Sequence, residues 1–351
     1  MNAGGIRISL VLPLEADSPA PATNYFDFLC GALTASENAA AEGIDVNLNV
    51  VDFSDFGGNN SEIDDAVTKS DLIVGPVTYS QMRTFQNISR RHRIPIVSPL
   101  DPSTADYASA NEYFFQVPAP HEVQIANLVK MLEEDGEGPV TIFYSASDTR
   151  LKEEFEAALQ KESIPYRTKT YDVLHGRDIT ETLHGELFAD TTAVLYKALI
   201  ASEDVAFASD VVRNLGLLKR EGVPVTIYGT NRLRSFKTID LSNLYALRLR
   251  VATPFYVDYD DEATKAFVIS YREKYNTEPT PYAFQGYDIL TYFIARLNDL
   301  GSSMTDYISY YPATGLQNEF RFERLKNDDG EDEGGFINAA TRSIRYDKAG
   351  L

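Results

Sequence analysis

The chain is poor in the residues that carry most covalent and metal chemistry. Its single cysteine, Cys30, excludes an internal disulfide, and its setting among Tyr25, Phe28, Leu29, Ala32 and Leu33 suits a small buried hydrophobe. The four histidines, His92, His121, His175 and His184, are scattered without the tight spacing or cysteine partners of a metal site, so no metal is expected. No apolar run approaches the ~20 residues that span a bilayer, so no membrane insertion is expected. Residues 1–5 lack the charged-then-apolar pattern of a leader, and an exported form would already have lost its signal. There is no nucleophile elbow, no Gly-rich phosphate loop ending in Lys-Ser/Thr and no dinucleotide fingerprint. Binding without chemistry, and without a cofactor, is the expectation.

Charge of one sign is also scarce. With 32 Lys and Arg against 52 Asp and Glu the formal net charge is −20. Such a field repels phosphate backbones and anionic lipid, which excludes nucleic acid and leaves a small molecule or a protein as partner. The same acidity would also serve solubility alone.

What is present is an ordered alternation of short apolar strands and amphipathic helices in 351 residues, enough for two domains. The first series runs strand 6–12, helix 24–41, strand 46–52, a short helix from 61, strand 71–75, helix 79–92, strand 94–98 and strand 113–117. A break at Pro118-Ala-Pro120 and a helix over 122–134 follow, and then the pattern repeats. Its second round is strand 139–143, helix 149–162, strand 166–171, helix 179–188, strand 192–196, helix 203–219 and strand 223–228. This order predicts an α/β protein of two lobes, each a doubly wound, mainly parallel sheet with helices on both faces. A strand at 248–251, helices at 262–275 and 282–300, and a closing hairpin around the acidic loop 327–335 complete the chain.

Open α/β sheets bind ligands outside the carboxyl ends of their strands, so the candidate site residues lie there. In the first lobe these are Thr78, Tyr79 and Ser80, where 75–80 leaves a strand and opens a helix, together with Ser98, Pro99 and Asp101. Backbone amides and hydroxyls at 78–80 suit an anionic group, although Thr78 and Ser80 would equally serve as helix caps with no ligand. In the second lobe they are Tyr144 and Ser145, Tyr196 and Lys197, and Thr230 and Asn231, where tyrosines suit an aromatic wall with a polar tip. Ser80 or Ser98 as a hydrolytic nucleophile would need a base and an orienting acid that the sequence does not display.

In Asp71-Leu-Ile-Val-Gly-Pro76, then Ser80, then Arg93-Ile-Pro-Ile-Val-Ser-Pro99, and later Ala283-Phe-Gln-Gly-Tyr-Asp288 preceded by Phe267, Tyr271, Tyr275 and Pro279, the chain resembles the type I periplasmic binding proteins. The resemblance is to the Leu/Ile/Val-binding branch that serves ABC transporters, and it covers Ile6 to about Leu300. Stretches 26–31 and 315–322 are similar to a Bacteroidetes-type envelope branch in which this domain often follows a LysM module. The resemblance implies a clamshell that closes on a small ligand such as an amino acid, in the periplasm, for an ABC transporter permease or a receptor. It implies lobe one at 6–118 plus 254–312, lobe two at 119–253 plus 313–351, and crossings near 117–120, 252–255 and 312–316.

By position, the resemblance puts Thr78, Ser80, Ser98 and Asp101 against an α-carboxylate, with Tyr144, Tyr196 and Thr230 opposite. Where the family commonly offers an acid for the amino group, this chain has Gly229-Thr-Asn231, and Lys197 introduces a cation. The alternative is an envelope structural or regulatory protein that uses the same fold for protein or cell-wall contacts with a degenerate cleft.

Overall fold

The computed structural model describes residues 5–56, 60–173, 179–190, 192–326, 329–330 and 332–347. The chain divides into two units, one holding everything up to Pro120 together with Pro254–Arg342, the other holding His121–Thr253 and the residues from Ser343 onward.

The first unit opens with β1 (Ile6–Leu12), α1 (Thr23–Ala41), β2 (Val46–Asp52), α2 (Asn60–Val67), β3 (Leu72–Val74), α3 (Tyr79–His92), β4 (Ile96–Ser98), α4 (Ala105–Ala110) and β5 (Phe114–Gln116). The second contains α5 (His121–Glu134), β6 (Val140–Tyr144), α6 (Thr149–Lys161), β7 (Tyr166–Lys169), α7 (Ile179–Leu187), β8 (Tyr196–Ala201), α8 (Val205–Arg220), β9 (Val225–Gly229), α9 (Leu241–Ala246) and β10 (Arg250–Thr253). The chain then returns to the first unit with α10 (Glu262–Tyr275), α11 (Pro281–Leu300), α12 (Met304–Tyr307), β11 (Ala313–Thr314), β12 (Glu319–Phe320), β13 (Phe322–Lys326) and β14 (Asp332–Asn338), and ends on β15 (Arg342–Arg345).

The first sheet has the order β13-β14-β5-β4-β3-β1-β2 and the second β15-β10-β9-β8-β6-β7. Neighbours pair in parallel along β2-β1-β3-β4-β5-β14 and along β10-β9-β8-β6-β7, while β13 runs antiparallel to β14. Period-two alternation distributes each strand between two cores. Ile8, Leu10 and Leu12 face α1 and α11, whereas Val11 joins Met82, Phe85 and Ile88 of α3. In β8, Ala198 and Ile200 pack with α8, while Leu199 and Ala201 pack with Phe155 of α6 and Leu128 of α5.

Two glycines allow α1 and α11 to touch. A Cβ on Gly286 would sit 2.1 Å from the Phe28 carbonyl oxygen, and one on Gly31 would sit 1.9 Å from that of Ala283. Cys30, on the same helix, is half-buried rather than interior, and burial pushes its thiol pKa up.

Two expectations of chain order are corrected. Residues 313–342 belong to the first unit, not the second, and the last passage lies at 342/343 rather than near 312–316. The cause is aromatic burial: Phe336 stacks on Phe115 at 4.5 Å, Phe320 on Tyr292 at 4.5 Å, and Phe322 packs edge-on against Phe115. The strand expected at 192–196 lies at Tyr196–Ala201, because the apolar run continues past Lys197 and every residue of β8 is buried.

A buried polar cluster fastens the returning segment. Asp288 accepts hydrogen bonds from the Leu316 amide at 2.7 Å and from the amides of Gln317 and Asn318 and the Asn318 side chain, each at 2.9 Å. Burial pushes the Asp288 carboxyl pKa up, against these four donors, which favour its charged form. Gln317 accepts from the Tyr256 amide at 2.9 Å, Asn338 donates to the Val117 carbonyl at 3.1 Å, and Arg342 pairs with Glu319 at 2.8 Å. The first unit thus holds all three places where the chain leaves or re-enters it.

Candidate functional site

In the first unit the loops after β3 and β4 lie side by side. Gly75 has φ +94°, and a Cβ there would meet the Val11 carbonyl oxygen at 2.1 Å, so glycine lets the chain turn away from the sheet against β1. Thr78 precedes α3 in extended conformation but makes no capping hydrogen bond. Asp101 does the capping from the neighbouring loop: it accepts from the Tyr79 amide at 2.9 Å and from the Ser103 amide at 2.9 Å. The amino end of α3, expected to be open to an anion, therefore already holds a carboxylate of the chain.

The other first-unit candidates separate into interior and exposed groups. Ser98 is fully buried, its hydroxyl 2.6 Å from that of Thr104, which in turn hydrogen-bonds Gln116. This corrects the expectation of Ser98 as a ligand hydroxyl. Pro99 is buried and accepts from the Gln285 side chain at 2.8 Å. Tyr79 stacks on Tyr107 at 4.7 Å and donates to Asp106 at 3.1 Å, so its phenol turns toward α4. Its ring remains exposed, as does Ser80, whose hydroxyl lies 3.4 Å from that of the half-buried Thr78.

In the second unit the carboxyl ends of β6 and β8 meet around a residue that sequence reasoning passed over. Asp148 Oδ2 accepts from Ser145 at 2.5 Å, from Ser202 at 2.7 Å, and from the amides of Glu203 at 3.1 Å and Asp204 at 3.3 Å. Partial burial pushes its carboxyl pKa up, but these donors outweigh that and hold it below the usual carboxylate range. Its Oδ1 accepts no hydrogen bond among the described residues. Ser147 adds a hydroxyl 2.8 Å from Ser145. The signal for this cluster was Ser202-Glu-Asp204, a turn and N-cap hidden by placing the strand too early; Asp204 caps α8 through the Ala206 and Phe207 amides.

Tyr144 ends β6 with the Lys152 ammonium 5.3 Å from its ring centroid. Thr230 and Asn231 follow β9, where Asn231 accepts from Arg234 at 2.9 Å. Tyr196 and Lys197 are corrected: they begin β8 and so lie at the opposite end of the sheet from Asp148. Tyr196 is buried and donates to the Asp190 carbonyl at 2.6 Å. Lys197, 4 % exposed, donates to the carbonyls of Leu132 and Gly136, and burial pushes its pKa down.

Among the described residues no group of three or more His, Cys, Asp or Glu is placed to hold a metal, and no helix is long and apolar enough to cross a membrane. His92 lies 3.4 Å from Asp64, and His121 2.8 Å from Glu154, while His184 sits in the last turn of α7; His175 lies outside the described residues.

With two α/β units and their strand-end loops in view, comparison with known proteins decides the family. Residues 31–307 match the periplasmic binding protein family. The chain belongs to that family. A search of curated proteins finds no match. Among solved structures, a candidate branched-chain amino acid ABC transporter protein from Rhodospirillum rubrum superposes with TM-score 0.66 at 18% identity, covering 97% of this chain and 100% of that one. An ABC transporter substrate-binding protein from Desulfitobacterium hafniense, in complex with Leu, gives TM-score 0.53 at 18% identity, with 97% of each chain covered. An ABC-type branched-chain amino acid transporter protein from Rhodopseudomonas palustris gives 0.57 at 14%, again over 97% of each chain. These likenesses establish the fold. Membership of a family of non-catalytic periplasmic binding proteins makes this chain a binding protein rather than an enzyme.

Proposed function

We propose that this periplasmic binding protein captures a small polar solute of the amino-acid class and delivers it to an ABC transporter. The carrying observation is the Asp148 carboxylate at the strand ends of the second unit, which gathers its donors on one oxygen and leaves the other without a hydrogen bond among the described residues. An ionised carboxylate with an open oxygen suits a solute ammonium, and the Thr78 and Ser80 hydroxyls at the strand ends of the first unit are neutral donors of the kind that suit a solute carboxylate. Asp148 thereby fills the role that Gly229-Thr-Asn231 leaves open. Tyr144, Thr230 and Asn231 would add lateral contacts, and Leu, held by the Desulfitobacterium hafniense neighbour, is a sensible first test compound.

A thermal-shift screen of amino acids followed by titration calorimetry tests this, since a solute that binds only the native state raises the melting temperature. A saturable shift with at least one amino acid, lost in Asp148→Ala, is the expected result. Flat responses across free amino acids would overturn the reading.

A second reading draws on a different observation. Ser98 and Asp101 are both consumed by hydrogen bonds within the first unit, which is what a binding surface converted to structural duty looks like. Under it the chain acts in the envelope through protein or cell-wall contacts. Retention on isolated cell-wall material, with no solute-induced shift, would favour it.

A further inference from the structure

A departure from the chain's overall charge lies on α3. From Leu72 to Leu100 the sequence contains no Asp or Glu and no Lys, yet it carries Arg83, Arg90, Arg91 and Arg93, in a protein of net charge −20. Met82, Phe85 and Ile88 bury the inner face of the helix. The outer face presents Arg83, Asn87, Arg90 and Arg91, all exposed. Arg83, Thr84, Asn87 and Arg91, floored by Ile88, line a surface depression. Arg83 and Arg91 stand eight residues apart, about 12 Å along the axis.

The helix's own needs account for only part of this. Arg90, Arg91 and His92 lie in the last turn, where cations offset the helix dipole. Arg91 also pairs with Asp64 of α2 at 2.6 Å, with 62% of its side chain still exposed. Arg83 lies in the second turn, where the dipole offers a cation nothing, and neither it nor Arg90 makes an ion pair among the described residues.

We propose that the α3 face carrying Arg83, Asn87 and Arg91 docks an acidic segment of a partner polypeptide, with two carboxylates about 12 Å apart. Arginine rather than lysine at every cationic position suits forked, two-point pairing with carboxylates. Asn87 and Thr84 supply neutral donors between the two guanidinium groups. An anionic membrane or a nucleic acid would present its charge to the whole −20 surface and be repelled. A short segment feels only what lies within a screening length of about 8 Å. The proposal is independent of any solute at the strand ends.

The test uses the full chain and a blocked, alanine-rich helical peptide with two glutamates eight residues apart, labelled for fluorescence anisotropy starting at physiological ionic strength. Saturable binding to this peptide, none to its glutamine counterpart, and weakening as salt rises are expected. Arg83→Ala should weaken binding roughly threefold to fivefold and Arg83→Glu should abolish it, with the melting temperature unchanged. Arg91→Ala serves as a second variant whose loss of the Asp64 pair is monitored by its melting temperature. Equal binding of the glutamine peptide, or full affinity in Arg83→Glu, would overturn the proposal. So would displacement of the peptide by inorganic phosphate at the peptide's own concentration, which would reveal a simple anion notch. Arg83-dependent binding to phosphatidylglycerol vesicles in place of the peptide would overturn it in favour of a membrane contact.

Discussion

Asp101 after β4 in the first unit and Asp148 after β6 in the second are both strand-end carboxylates, and the two units use them differently. Asp101 in the first unit is turned inward on the backbone: it caps α3 and the turn that follows it. Asp148 in the second unit spans two strands, collecting donors from the β6 and β8 loops on one oxygen and leaving the other without a partner. A carboxylate with donors on both oxygens contributes stability and has less capacity left for a solute; one with an open oxygen keeps more. The second unit thus offers a partly open carboxylate at its strand ends, and the first unit offers neutral hydroxyls at its own.

The largest effect that would break this comparison is on affinity. Replacing Asp148 by Ala should lower solute affinity about a hundredfold, about 3 kcal/mol for a lost charged hydrogen bond, whereas Asp101→Ala should leave affinity within a few fold; calorimetric titration compares the two. Equal losses would erase the distinction. Stability should show the reverse emphasis, with Asp101→Ala costing about 1–2 kcal/mol in urea unfolding through the lost cap. A Thr78→Val and Ser80→Ala double variant should then weaken solute binding by about tenfold, since it removes neutral donors only. A smaller and sharper distinction is pH dependence. The Asp148 carboxyl is held below its usual range, so its contribution to stability is complete above the unfolded value of about 3.9 and is lost as pH falls through the folded one. Acid unfolding of Asp148→Asn should show a shallower loss between about pH 5 and 2 than the parent. Smallest of all, Lys197→Met should leave solute affinity unchanged, because the ammonium lies at the far end of its sheet, bonded to main-chain carbonyls.

The order of strands and helices was legible because burial on both faces writes mainly apolar runs, as at 6–12, 139–143 and 223–228, while the edge strand 46–52 showed in its alternation of apolar residues with asparagine. The site was legible only as a set of loops. Placing a strand at 192–196 moved Tyr196 and Lys197 to the wrong end of the sheet and concealed Ser202 beside Asp148; local pattern does not say where an apolar run containing one lysine stops. Ser98 and Asp101 looked like ligand groups because a hydroxyl or carboxylate after a strand reads the same whether it faces outward or satisfies Thr104 and the start of α3. The Ala283-Phe-Gln-Gly-Tyr-Asp288 motif, by contrast, has a structural account in each polar position: Gln285 holds Pro99, Gly286 admits α1, and Asp288 fastens 316–318.

The pairing of β14 between β5 and β13 also dictates a timetable. The first unit's sheet is built from residues near both ends of the chain, so its β5 edge stays open until residues 332–338 have left the ribosome. The second unit's five neighbouring strands β6–β10 are contiguous within 121–253 and are complete 85 residues sooner, at 253 against 338. During synthesis the inserted unit is thus the first to have all its parallel neighbours; the host sheet gains β14 later, and β15 at Arg342–Arg345 is the last strand added to the second sheet, each at the cost in loop closure that long-range pairing entails.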